Sequence, residues 1–161
     1  MKVLIACECS QVVCLAFRAR GHEAYSCDIE ECYGGHPEYH IQGDCLSIIH
    51  GNTDFFTMDG TCHTIDKWDL VIAHPPCTYL CRCQAPLYNV ERYGHEKVSE
   101  RKERQAEAID FFMALTRIQS PWCIENPVGI MSNIYRKPDQ TIQPFWFGDA
   151  ASKATCLWLS G

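Results

Sequence analysis

The sequence lacks any long apolar segment. No window approaches the roughly 18 uninterrupted apolar residues of a membrane-spanning helix. The start, where Lys2 is followed by a five-residue apolar run and then by Glu8, is too short for a secretory leader. Internal repeats and low-complexity tracts are missing too, which excludes a solenoid architecture. We therefore expect a cytoplasmic protein with no membrane partner.

Cys-x-x-Cys pairs are also missing, although the chain contains 12 cysteines. Several of them lie in strand-like apolar runs, as buried cysteines in a reducing compartment do: Cys7, Cys27, Cys123 and Cys156. The alternative is a zinc site, for which a ligand set exists on paper: Cys77, Cys81, Cys83 and His95. Because Cys81 and Cys83 have poor chelating spacing, we expect no metal.

Positive charge is scarce in most of the chain. The formal net charge is −6, which is unusual for a dedicated DNA-binding protein. Residues 1–81 contain 4 basic and 11 acidic side chains, whereas residues 82–104 contain 6 basic and 4 acidic ones. This only net-basic stretch is explained either by the solvated start of a helix or by a loop that contacts phosphates beside a site.

The remaining patterns alternate between strand-like and helix-like segments in a chain of 161 residues, a length that suits one domain. Apolar runs predict strands over residues 2–7, 22–27, 39–42, 69–73, 121–124 and 155–159. Helical periodicity predicts helices over residues 12–20, ended by Gly21, and 103–118. Residues 50–66 look like a polar insertion, and residues 78–101 look like a long loop. This alternation indicates an α/β fold with a mostly parallel sheet and helices on both faces.

Ligands of parallel sheets bind at the carboxyl ends of the strands. In this chain the predicted strand ends carry acids and a thiol: Glu8, Asp28, Asp44, Cys77 and Glu125. A recurrence of such groups at several ends favours a ligand site there.

Two motifs follow predicted strands, His74-Pro75-Pro76-Cys77 and Glu125-Asn126-Pro127. Two prolines fix the backbone, and a cysteine on such a rigid edge can be a nucleophile if its thiolate is stabilised. An acid at a strand end, shielded from water, can donate a proton or a hydrogen bond. Taken singly, each motif is better explained by structure, the first as a tight turn with a buried cysteine and the second as a capping acid. Since consecutive strand ends lie side by side, the pair favours a shared ligand.

In order and context, these motifs resemble the DNA cytosine-C5 methyltransferases, particularly the short versions of phages and prophages. The resemblance covers nearly the whole chain and implies a Rossmann-like fold that uses S-adenosylmethionine. Cys77 would attack C6 of a flipped or single-stranded cytosine, Glu125 would engage N3 and the exocyclic amine, and Asn126 would position that acid.

The resemblance also assigns cofactor and substrate residues. The cofactor would contact the first strand's end, the two acidic turns and the nucleophile segment: Cys7, Glu8, Cys9, Ser10, Asp28, Ile29, Asp44, Cys45, His74 and Pro75. Candidate substrate contacts are Arg101, Arg104 and Lys153, and DNA would be reached through the loop over residues 78–104.

The chain departs from the family in three places. The glycines of the family's first loop are replaced by Cys9, Gln11 and Val12, and one cation, Lys153, stands in the segment where the family has two arginines. The sequence stops after the last predicted strand, so we expect a truncated catalytic domain without a target-recognition domain. A homodimer or a partner subunit would then supply sequence recognition.

Two other functions remain open: an inactive methyltransferase-like protein that binds the cofactor or nucleic acid, and an enzyme on the same fold that modifies nucleotides. The exposed-looking run Phe145-Trp146-Phe147 is a candidate interface. The seven histidines show no ligand or triad spacing, and of these His74 adjoins the Pro-Pro-Cys turn.

Overall fold

The computed structural model describes residues 1–51 and 53–161. The strands are β1 (Lys2–Ala6), β2 (Glu23–Asp28), β3 (His40–Gln42), β4 (Asp54–Phe56), β5 (Cys62–Thr64), β6 (Leu70–Ala73), β7 (Trp122–Pro127), β8 (Gln140–Ile142) and β9 (Thr155–Ser160). The α-helices are α1 (Val12–Arg18), α2 (Cys45–His50), α3 (Val90–Tyr93), α4 (His95–Leu115) and α5 (Met131–Ile134). Three 3₁₀ helices cover Pro37–Tyr39, Arg82–Tyr88 and Pro144–Phe147.

The protein has an α/β fold built on a mixed sheet of seven strands. Hydrogen bonding orders them β3-β2-β1-β6-β7-β9-β8. The pairs β1–β2, β1–β6 and β2–β3 are parallel, whereas β8 and β9 are antiparallel. A short antiparallel hairpin of β4 and β5 forms a separate sheet. The predicted α/β class with a mostly parallel sheet is therefore confirmed, and the architecture is compatible with a Rossmann-like fold.

The contacts of the chain group its residues into two compact units. The first consists of Met1–His74, Arg117–Cys123 and Ser160–Gly161. The second consists of Pro75–Thr116 and Ile124–Leu159.

In the first unit, β1 forms the centre of the core. Val3 and Ile5 are fully buried in a cluster with Cys14 of α1 and Ala24 of β2. The alternate β1 residues Leu4 and Ala6 are fully buried as well. Because neighbouring side chains of a strand point to opposite faces, both faces of β1 are covered, as expected for a parallel strand. Burial on both faces explains why this strand appears in the sequence as a continuous apolar run.

In the second unit, the core joins α4 to β9. Phe112 of α4 meets the ring of Trp158 edge-on, with the ring centroids 5.2 Å apart. Trp158 is fully buried, and its indole N–H donates to the carbonyl oxygen of Arg136 over 2.8 Å. The buried indole N–H therefore has a hydrogen-bond partner. Without one, its burial would cost free energy.

Most predicted strands are confirmed, to within one or two residues at each end. The first helix is confirmed as well, and Gly21 after it adopts the left-handed φ of +80° that ends helices. The last strand is confirmed at residues 155–160. The elements α2, α5 and β8 were not predicted.

Three predicted boundaries are wrong. The polar insertion over residues 50–66 contains the β4–β5 hairpin, which buries Phe55 against Tyr25 with ring centroids 5.2 Å apart. The long loop predicted over residues 78–101 is largely helical. Part of it belongs to α4, which begins at His95 rather than at Glu103 and ends at Leu115. The fifth strand continues to Pro127, so the Glu-Asn motif lies within β7 and not after it.

Among the helices of the described ranges, none is both long enough and apolar enough to cross a bilayer. The longest, α4, has 21 residues and carries charged side chains along its length.

Candidate functional site

The candidate nucleophile lies near the start of the second unit. Pro75 is buried, Pro76 is exposed and Cys77 is half-buried. The carbonyl oxygen of Cys77 accepts hydrogen bonds from the backbone N–H groups of Leu80 and Cys81, both over 3.0 Å. Cys77 therefore begins a closed turn, and the preceding prolines fix its backbone. The structure thus places a half-exposed thiol on a rigid edge.

The Glu-Asn motif is held to the Pro-Pro-Cys segment by a buried hydrogen bond. The side-chain amide of Asn126 donates to the carbonyl oxygen of Pro75 over 2.8 Å, and Asn126 is 1% exposed. The Oδ1 atom of Asn126 is buried and has no hydrogen-bond partner among the described residues. The carbonyl oxygen of Pro75 is thus satisfied by a side chain 51 positions away.

Burial alternates along β7, and this separates the two motif side chains. Ile124 and Asn126 are buried, while Glu125 between them is half-buried. Since successive strand residues point to opposite faces, Glu125 and Asn126 face opposite ways. The role that the resemblance gives Asn126, to position the acid, stays a prediction, and its amide holds the segment of the candidate nucleophile.

A second connection joins the same two segments. The N–H of Arg82 donates to the carbonyl oxygen of Val128 over 2.9 Å, and the N–H of Ile130 donates to that of Leu80 over 2.9 Å. These bonds flank an antiparallel bridge between Cys81 and Gly129. A Cβ at Gly129 would lie 2.1 Å from the carbonyl oxygen of Leu80, so only glycine permits this approach. Sequence analysis missed Gly129 because one glycine gives no signal of close approach.

Arg101, predicted to contact substrate, is bound within the protein. Its guanidinium donates to Gln84 Oε1 over 2.7 Å and to the carbonyl oxygen of Thr78 over 3.3 Å. The same group lies 5.0 Å from the ring centroid of Tyr79 and 5.2 Å from that of Tyr88. Arg101 thus ties α4 to the segment that follows Cys77.

A groove of about 330 Å³ adjoins this contact. Two aromatic rings and three cations line it together with Leu87 and Glu100: Tyr79, Tyr93, Lys97, Arg101 and Arg104. Arg104 also pairs with Glu107 over 3.2 Å on the exposed side of α4. The third predicted substrate residue, Lys153, is exposed before β9 and is not among the described residues that line the groove.

In the first unit, the carboxylate of Glu8 is committed to the start of α1. Its Oε1 accepts the N–H of Val13 over 2.6 Å, and its Oε2 accepts that of Cys14 over 3.1 Å. The hydroxyl of Ser10 also lies 3.4 Å from Oε1. Glu8 is 6% exposed, so these charge-assisted bonds offset the cost of burying an acid. The first loop is therefore closed by the side chain of Glu8.

Gln11 is the residue in this loop that sequence analysis undervalued. It is fully buried and adopts a left-handed φ of +61°. Its amide nitrogen donates to the carbonyl oxygen of His36 over 2.8 Å, and its amide oxygen accepts the His36 N–H over 3.1 Å. This two-way clamp fixes the connection between β2 and β3.

The two predicted acidic turns contain Asp28, which ends β2, and Asp44, which precedes α2. Asp28 Oδ1 accepts the N–H of Glu30 over 3.1 Å, and the next residue, Ile29, is an aliphatic side chain left 73% exposed. Asp44 caps α2 through the N–H of Leu46 over 2.9 Å. A carboxylate thus lies next in sequence to an exposed aliphatic side chain.

The predicted cofactor cysteines lie around the same strand ends. The sulfur atoms of Cys7 and Cys45 are 3.9 Å apart, and this contact together with burial raises the pKa of Cys7. Burial also raises the pKa of Cys9, as does the nearby Asp28. Cys7 and Cys9 are thus held neutral, and they offer volume rather than charge. His74 follows β6, where its backbone N–H donates to the carbonyl oxygen of Ala6 over 3.0 Å.

The described parts of the chain contain no cluster of three or more histidine, cysteine, aspartate or glutamate side chains arranged to hold a metal ion.

No family model matches the chain, and neither does any curated protein.

Proposed function

We propose that the protein transfers a methyl group from S-adenosylmethionine to C5 of cytosine in DNA, through a covalent adduct with Cys77. The observation that supports this most is the buried bond from Asn126 to the Pro75 carbonyl. This bond joins the segment that carries Cys77 to the strand that carries Glu125. The sequence alone relates these two segments only by their order. We infer a Rossmann-like methyltransferase fold on the same grounds.

Cys77 and Glu125 would have different roles in this reaction. The Cys77 thiolate forms a bond to C6 of the cytosine, while Glu125 donates a hydrogen bond or proton at N3 and so offsets the charge that enters the ring. C5 becomes nucleophilic and would take the methyl group as the bond from methyl to sulfonium breaks, which would leave the electron pair on a neutral thioether sulfur. Loss of the C5 proton to a base then expels the Cys77 thiolate and restores the aromatic ring. Asn126 and Gly129 position the Cys77 segment throughout.

S-adenosylmethionine would supply an electrophilic methyl group on a sulfonium. The residues of the first unit fit its adenosine part, through Asp28 for the ribose hydroxyls and the exposed Ile29 for the base. The first loop fits its methionine part less well, because Glu8 already occupies the N–H groups of Val13 and Cys14. We therefore assign the cofactor's affinity mainly to the adenosine contacts.

Nucleic acid is the substrate class that the groove at the start of α4 favours. Aromatic rings stack on bases, and cations bind phosphates, which is the combination that Tyr79, Tyr93, Lys97 and Arg104 offer. This groove belongs to the only net-basic stretch of the sequence. It supports DNA as the partner, without an element dedicated to sequence readout.

The decisive test is a methyl-transfer assay with labelled S-adenosylmethionine and DNA. We expect Cys77→Ala to abolish transfer, and the matched control Cys83→Ala, at an exposed cysteine of the same segment, to retain it. DNA that contains 5-fluorocytosine should trap a covalent adduct with the wild-type protein, because fluorine cannot leave as a cation. Absence of transfer to every DNA, RNA and free nucleotide would refute the proposal.

A second function is favoured by the closed first loop: a methyltransferase-like protein that binds cofactor or nucleic acid without turnover. Calorimetry with S-adenosylmethionine separates the two. Tight binding without transfer supports the binding protein, and any turnover excludes it. Transfer to free nucleotides but not to polymers would instead assign a nucleotide-modifying enzyme on the same fold.

A further inference from the structure

Two cysteines of the second unit lie close enough to react with each other. The sulfur atoms of Cys81 and Cys83 are 3.0 Å apart. Cys81 is buried, with 9% of its surface exposed, whereas Cys83 is exposed. One thiol therefore meets solvent, and the other lies directly behind it.

The backbone permits a disulfide between them. A disulfide needs a sulfur–sulfur distance of about 2.05 Å and Cα atoms no more than about 7 Å apart. Consecutive Cα atoms are about 3.8 Å apart, so residues two positions apart meet the second condition where the chain bends between them, as it does at Arg82, the first residue of a 3₁₀ helix. The sulfur atoms would have to approach by about 1 Å, which side-chain rotation can supply.

Cys81 is fixed on its backbone side. Its N–H donates to the carbonyl oxygen of Cys77 over 3.0 Å, and it bridges to Gly129. Cys83 lies in the first turn of the 3₁₀ helix over Arg82–Tyr88. In such an arrangement the exposed thiol attacks an external disulfide first. The fixed buried thiol then attacks the resulting mixed disulfide and displaces the external group.

We propose that Cys81 and Cys83 form a thiol–disulfide exchange site for small disulfides such as oxidised glutathione. The Cys83 thiolate attacks one glutathione sulfur, the glutathione disulfide bond breaks, and one glutathione thiolate leaves and takes up a proton. The Cys81 thiol then loses its proton and attacks the Cys83 sulfur, which expels the second glutathione. Two protein thiols are oxidised, and one glutathione disulfide is reduced to two thiols. This site is independent of methyl transfer.

Ring closure is the slower step at neutral pH. In the reduced protein, burial and the contact with Cys83 raise the pKa of Cys81 to about 11, and the effect of burial persists once Cys83 carries glutathione. Only the thiolate attacks, so a raised pKa leaves few reactive Cys81 groups near pH 7. As the pH rises towards this pKa, we expect the rate of ring closure to increase by about tenfold for each pH unit.

The protein carries its own comparison pair. Cys7 and Cys45 are 3.9 Å apart, but Cys45 is buried and Cys7 is partly so. Access to an external disulfide, rather than proximity alone, should therefore separate the two pairs. Cys62, an exposed cysteine, serves as the control for a single accessible thiol.

To test this, the reduced full chain is incubated with excess oxidised glutathione, and the reaction is quenched in acid. The remaining thiols are then alkylated, and the protein is digested with trypsin. Cleavage after Arg82 separates the two cysteines, so a link joins the peptides Trp68–Arg82 and Cys83–Arg92. Fragment ions distinguish Cys81 from Cys77 within the first peptide. We expect this link to exceed a Cys7–Cys45 link by about tenfold, and Cys62 to stop at the mixed disulfide.

Single variants complete the test. Cys81→Ser should stop at glutathione bound to Cys83, and Cys83→Ser should leave Cys81 reduced. Cys77→Ser should keep the link unchanged. A wild-type protein that accumulates glutathione on Cys83 without closing the ring overturns the proposal, and so does a link from Cys83 to Cys77. Neither outcome depends on methyl-transfer activity, so this inference and the proposed function fail separately.

Discussion

The side-chain amide of Asn126 supplies the hydrogen bond to the carbonyl oxygen of Pro75, across 2.8 Å and 51 positions of sequence. Asn126 is 1% exposed, so this donor has no access to bulk water. A strand residue thereby fixes the segment that carries Cys77.

We expect Asn126→Ala to lower the free energy of unfolding by about 1–3 kcal/mol, because it leaves the Pro75 carbonyl buried and without its donor. Urea denaturation measures the change. Asn133→Ala, at an exposed asparagine of α5, is the control and should change stability by no more than about 0.5 kcal/mol. Equal effects of the two variants would contradict a structural role for the buried bond.

Gly129→Ala should destabilise the protein by about 1–3 kcal/mol or more, because the new Cβ would lie 2.1 Å from the Leu80 carbonyl oxygen. The matched control is Gly43→Ala, where a Cβ meets no atom within 4 Å. Thermal unfolding compares the two. If both alanines were tolerated equally, the contact between Leu80 and Gly129 would not be as close as described.

At Gln11, the loss of the clamp and the relief of strain can be separated. Gln11→Ala and Gln11→Gly both remove the bonds to His36, at a cost of about 1–3 kcal/mol. Only glycine accepts a φ of +61° without strain, so Gln11→Gly should be the more stable of the two by about 1 kcal/mol. Paired denaturation curves test this order, and the reverse order would show that the backbone relaxes when the side chain is lost.

Asp139 should contribute a pH-dependent part of the stability. The N–H of Leu159 and the guanidinium of Arg136, each at 2.7 Å, lower the pKa of its carboxyl group below 3.8 in the folded state. The stabilisation is therefore present above the unfolded pKa and is lost as the pH falls through the lower folded value. The stability difference between wild type and Asp139→Asn should be largest near neutral pH and should shrink below about pH 4. A difference that stays constant over that range would contradict the ionic role.

The sequence predicted the central strands well because their physical signal is strong. Val3–Ala6 are buried on both faces, and such a strand must be apolar throughout. The hairpin of β4 and β5 was missed for the opposite reason. It buries Phe55 but exposes its neighbour Phe56, so its composition resembles that of a loop.

The candidate site was predictable in its residues but not in their roles. Cys77, Glu125 and Asn126 follow from motif order, whereas the direction of the Asn126 side chain follows only from the alternation of β7. Gln11 carries no sequence signal, since its partners are backbone groups of His36. Arg101 was assigned to substrate by resemblance to a family motif, and such a motif does not show that the side chain is already engaged within the protein.

The engagement of Arg101 has a consequence for the ionic strength dependence of the proposed nucleic-acid binding. Each cation that neutralises a phosphate releases a counterion and adds about 0.9 to the slope of log affinity against log salt for duplex DNA. Arg101, held by Thr78 and Gln84 between two tyrosine rings, contributes to the field of the groove but not to this slope. Arg104→Gln should therefore flatten the slope by about one, whereas Arg101→Gln should leave the slope unchanged and weaken binding only by loosening the turn that carries Cys77.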